Sequence, residues 1–125
     1  MPPKLIHRNL DKKASYRCTI VVKNVEMDMN YHTTNIVYFE YALECAARAA
    51  AAGHYTRIKG DICDYCVKMA SLGHTGESSD GDELVVMTCE DPSNPLLLYF
   101  SVAKEDRDIS FAMLEFYDPH IESNL

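Results

Sequence analysis

One long stretch with helical spacing, followed by four apolar runs that polar turns keep apart, is the feature that most limits what this chain can fold into. In the stretch from residue 35 to residue 54, Ile36, Phe39, Leu43, Ala46, Ala47 and Ala50 recur every three or four positions. That spacing puts side chains on one side of a helix. Thr34 or Asn35 can cap its start, and Gly53 can end it. Glu40, Glu44 and Arg48 recur every fourth residue and read as a polar face. The alanines would let the helix lie close to whatever it packs on. The apolar runs are Ile62 to Leu72, Glu83 to Glu90, Leu96 to Lys104 and Ile109 to Tyr117. GHTGESSDGD, DPSNP and EDRD separate them, each rich in turn formers. Ahead of the helix, Tyr16 to Val25 reads YRCTIVVKNV, with Cys18, Ile20 and Val22 on one face and Arg17 and Lys23 on the other. Period-two alternation in β-branched sequence predicts a strand. Short connections make neighbouring strands antiparallel. The expected architecture is therefore α+β, a five-stranded antiparallel sheet against one long helix.

A chain of 125 residues is the size of one domain. Residues 1–14 read as a polar arm, 15–118 as the folded domain and 119–125 as a tail. The formal charge of −7 repels phosphate backbones, so no nucleic-acid partner is expected. A phosphate-rich ligand would need local cations. Lys104 and Arg107, beside the last turn, and Lys68 are the candidates. The longest apolar stretch is far too short to span a membrane, and the first residues lack the apolar core of a secretory leader. The five cysteines, placed inside predicted elements, suit reduced thiols in a reducing, cytosolic compartment. Cys63 and Cys66 form a CxxC pair, but no second pair or His pair stands at ligand spacing. Residues three apart on a strand also face opposite sides, so no metal site is expected, and no cofactor either. The terminal Ser123-Asn124-Leu125 is close to a peroxisomal address but lacks its basic middle residue.

The segment from Asp28 to Tyr38 reads DMNYHTTNIVY. It resembles the D-x-N-x-H-x-x-N-x-x-Y segment of the hotdog-fold thioesterase superfamily, as in plant acyl-carrier-protein thioesterases. It also has the Asp-to-Tyr spacing of the 4-hydroxybenzoyl-CoA thioesterase family. Asp28, Asn30, His32, Asn35 and Tyr38 match, and Gly81-Asp82-Glu83-Leu84 matches the G-D-E-L that often opens the third strand of these proteins. The resemblance implies a sheet wrapped around a central helix, and a homodimer or homotetramer with the pocket between subunits. It also implies hydrolysis of an acyl-CoA or acyl-carrier-protein thioester.

A thioester carbonyl under attack gathers negative charge on oxygen. The unpaired N–H groups and dipole of a helix start can stabilise that charge, while a nearby carboxylate activates water or attacks directly. By resemblance, Asp28 is base or nucleophile and the amide near Asn35 is the oxyanion donor. Asn30 and His32 then orient water or steady the charge, and Tyr31 and Tyr38 lie by the acyl group. Tyr31 stands where the family usually has Gly, adding bulk near the site. Two alternatives stay open. One is a non-catalytic acyl-CoA or acyl-carrier binding protein, which Tyr31 would suit. The other is a hotdog enoyl-thioester hydratase or dehydratase, whose D-x-N-x-x-H differs in spacing by one residue.

Overall fold

The computed structural model describes residues 15–22, 35–74, 78 and 81–118. Its elements are β1 (Tyr16–Val21), helix α1 (Asn35–Ala51), a single 3-10 turn (Ile62–Asp64), β2 (Val67–His74), β3 (Glu83–Glu90), β4 (Leu97–Lys104) and β5 (Arg107–Phe116). All five strands form one antiparallel sheet in the order β1-β3-β4-β5-β2. The connection of residues 91–96 joins β3 to β4, and a two-residue turn joins β4 to β5. The longer connection carrying α1 lets β3 pair with β1, while β2 crosses to the far edge beside β5.

Alternation decides what each strand buries. Cys18, Ile20 and Val22 of the first strand segment, Leu84, Val86 and Thr88 of β3, Leu98, Phe100 and Val102 of β4, and Ala112 and Leu114 of β5 all turn inward. Against them α1 sets Tyr38, Tyr41, Ala42, Cys45, Ala46 and Ala49. Ala42, Ala46 and Ala49 have no solvent exposure and share a cluster with Leu98 and Phe100. Methyl-sized side chains bring the helix axis close to the sheet, and the large β4 residues fill the space. A smaller cluster of Cys89, Tyr99, Phe111 and Met113 occupies the opposite face.

Ala46 and Ala50 are buried as expected, but the rest of the buried stripe is rotated from the expected one. Leu43 is exposed and Phe39 only half-buried, whereas Tyr38, Tyr41 and Cys45 are inside. Apolar residues nearly encircle α1, so counting aliphatic positions misplaced the face by about one residue, roughly 100°. The buried tyrosines carry polar ends that need partners: Tyr38 Oη lies 2.7 Å from Ser78 Oγ. The C-terminus is closed as a Schellman motif. His54 N donates to Ala49 O at 2.9 Å and Gly53 N to Ala50 O at 3.1 Å, with Gly53 at φ +75°. The helix thus stops at Ala51, three residues before the expected end, with Gly53 in the terminating position.

The second strand also differs. Ile62 does not begin it but is buried from the 3-10 turn, where Tyr65 N donates to Ile62 O at 3.1 Å. Pairing starts only at Val67. Burial alone made a turn read as a strand. Cys66 consequently lies outside regular structure, exposed, and Cys63 belongs to the turn. The opposite-faces argument for that CxxC does not apply, although no group of metal-binding side chains occurs among the described residues. No described helix is long and apolar enough to cross a membrane.

Candidate active site

Three chain segments meet at one end of the sheet. Val22 N donates to Asp82 O at 2.9 Å, and Gly81 N to Val22 O at 2.8 Å, so the exit of the first strand is bound to the approach to β3. The hydroxyl pair Tyr38–Ser78 ties the first turn of α1 to the segment between β2 and β3. The connection running from Val22 to Asn35 therefore has both ends fixed at this end of the sheet. That connection carries Asp28, Asn30, Tyr31 and His32, all of which lie outside the described residues, as does Thr34.

The helix start itself suits an anion. Residue 35 opens α1, and its first turn, Asn35-Ile36-Val37-Tyr38, contains no acidic side chain. The positive dipole end is thus not offset by a carboxylate of the same turn. The nearest acid along the helix is the exposed Glu40. Tyr38, in the last motif position, is 2% exposed, meets Tyr41 edge-on with ring centroids 6.1 Å apart, and bonds Ser78. It anchors the first helical turn from inside the core. Ser78 has no signal in the sequence, because the bond to the helix spans 40 residues.

Lys104 and Arg107 flank the two-residue turn from β4 to β5, as expected. Their surroundings oppose a phosphate. Lys104 Nζ is paired with Asp82 at 2.9 Å, and that hydrogen bond raises the lysine pKa. Beside them a cavity of about 440 Å³ opens on the sheet face away from α1, lined by Arg17, Glu83, Val85, Met87, Glu105, Asp106 and Asp108 among others. With Asp82, its carboxylates outnumber Arg17, Lys104 and Arg107, so the local field is negative. Lys68, the third cation, lies 3.9 Å from Glu115 and 6.0 Å from the Tyr117 ring centre. Glu44 and Arg48 form the expected exposed pair on α1, at 3.0 Å.

No protein-family model matches the sequence, and no curated protein matches it significantly. Solved structures do match the fold. A probable thioesterase from Bartonella henselae superposes with TM-score 0.69 at 8% identity, over 82% of this chain and 89% of that one. A 1,4-dihydroxy-2-naphthoyl-CoA thioesterase from Synechocystis gives TM-score 0.64 at 11% identity, over 82% and 80% of the two chains. A hypothetical protein from Staphylococcus aureus, solved in complex with CoA, gives TM-score 0.67 at 16% identity, over 87% and 79%. With its antiparallel sheet in the order β1-β3-β4-β5-β2 and a single long helix against one face, the chain has the hotdog fold that these thioesterase structures share.

Proposed function

We propose that the chain is an acyl thioesterase that hydrolyses an acyl-CoA or acyl-carrier-protein thioester. The observation that carries this reading is one of register. The Asp28-x-Asn30-x-His32-x-x-Asn35-x-x-Tyr38 segment runs directly into α1, so that Asn35 is the first helical residue and Tyr38 a buried anchor of its first turn. In this reading the thioester carbonyl points at the amides of the helix start, whose first turn is free of acids. Asp28 acts as base or nucleophile, and Asn30 and His32 orient water or the developing charge. The Staphylococcus aureus neighbour in complex with CoA supports a CoA thioester as the ligand class.

A homodimer or homotetramer belongs to the same reading. β2 ends the sheet, and its first half is exposed, with Val67 47% and Met69 41% accessible. Exposed apolar side chains on an edge strand favour pairing with a second copy. One residue favours a second reading. Tyr31, where the family commonly has Gly, would suit an acyl-CoA or acyl-carrier binding protein that has kept the pocket and lost turnover.

A panel of acyl-CoA and acyl-carrier substrates, followed by detection of the released thiol, separates the two. The hydrolase reading expects release from at least one acyl class. If none releases thiol while an acyl-CoA still raises Tm, the protein is a binder, and the hydrolase reading fails.

A further inference from the structure

Two thiols that the proposed reaction does not use meet between β1 and α1. Cys18 faces inward from β1, opposite Val86 of β3 in the sheet register. Cys45 is fully buried on α1, and its Sγ donates to the carbonyl of that same Val86 at 3.6 Å. Cα atoms of paired antiparallel residues are only about 4.5–5.5 Å apart. Val86 therefore holds both thiols in one small space, and both belong to the same buried cluster. Both are reduced. β1 is an edge strand, and Cys18 retains 8% exposure where Cys45 has none. An oxidant small enough to enter reaches Cys18 first.

The geometry points to Cys18 and Cys45 as an oxidative modification site, at which a peroxide joins β1 to α1 through an intrachain disulfide. The electrostatics divide the roles. The hydrogen bond with Cys45 lowers the Cys18 pKa against the opposing effect of burial, and the Arg48 cation assists, partly offset by Glu44. The same bond, together with burial, pushes the Cys45 thiol up. Cys18 thus loses its proton more readily and is the attacking thiol, and Cys45 is the resolving thiol. The Cys18 thiolate attacks one oxygen of hydrogen peroxide. A sulfur–oxygen bond forms, the oxygen–oxygen bond breaks, and the departing hydroxide takes up the proton the thiol had lost. Cys45 then attacks the sulfenic sulfur, and the second oxygen leaves as water with the Cys45 proton. Two thiols lose two electrons, and one peroxide becomes two waters. The bond would close residues 18–45 into a covalent loop, which restricts the unfolded chain and raises stability.

Peptide mapping of the peroxide-treated, full-length protein tests this. Digestion with trypsin under non-reducing conditions, after alkylation of remaining thiols, should yield peptide Cys18–Lys23 linked to peptide Asn24–Arg48. The protein should run at monomer mass on a non-reducing gel, with Cys89 still alkylated and Tm raised. In Cys45→Ser the sulfenic acid has no resolving partner, so dimedone should label Cys18 under the same peroxide. Cys18→Ser should give neither label nor bond. The assignment fails if peroxide leaves both thiols alkylatable, or joins either one to Cys63, Cys66 or Cys89. It fails equally if dimedone labels only Cys66 in the Cys45→Ser protein. The wild-type map needs no variant to fold.

Discussion

Tyr38 shows how one side chain links sequence pattern, packing and site. The DMNYHTTNIVY segment places it by the acyl group or, more simply, in the packing, and its ring is buried with its hydroxyl 2.7 Å from Ser78. Tyr38→Phe keeps the packing and removes that bond. The expected cost is about 1 kcal/mol, read as a lower denaturant midpoint with unchanged slope. Charge at the β4–β5 turn gives a second prediction. Because Asp82 pairs with Lys104, and Glu83, Glu105, Asp106 and Asp108 line the cavity beside this turn, the double replacement by Ala should change KM for acyl-CoA by less than about twofold. A rise of about fivefold or more at low salt would return both cations to the ligand's phosphates.

At the scale of elements, alternation and turn chemistry carried most of the fold. Cys18, Ile20 and Val22 face the core as their alternation implies, and Gly53 ends α1 because a positive φ is cheap only for glycine. What the sequence left obscure has physical reasons. A helix apolar on nearly all sides does not say which side the sheet will take, and Leu43 lost to Tyr41 and Cys45. The stretch from residue 62 to residue 66 reads as apolar whether it is strand or turn. Nothing local connects Cys18 to Cys45 or Tyr38 to Ser78, since those contacts exist only once the sheet has formed. The β4–β5 hairpin shows the converse. Glu105 and Asp106 sit at φ 51° and 65°, the left-handed pair that favours Asn-Gly. Glu105→Asn with Asp106→Gly should therefore raise stability by about 1 kcal/mol, measured by chemical denaturation. An unchanged or lower stability would show that the turn's side chains hold it in that conformation.

For the whole molecule, the hotdog arrangement brings the start of α1, the exit of the first strand and the approach to β3 to one end of the sheet, and puts β2 at the end of the strand order. If that edge pairs with a second copy, light scattering at micromolar concentration should give a multiple of 14.1 kDa. Met69→Lys, a charge on the exposed half of β2, should shift the protein toward monomer. The central claim is that the carboxylate ahead of α1 hydrolyses a thioester, and Asp28→Asn tests it most directly. The amide keeps the shape of the side chain and removes its charge, so folding and assembly should survive with a loss of at most about 2 kcal/mol. The rate of thiol release from the best acyl substrate, compared between wild type and Asp28→Asn, should fall by at least about 100-fold. A variant that retains activity within about threefold of wild type would contradict the account.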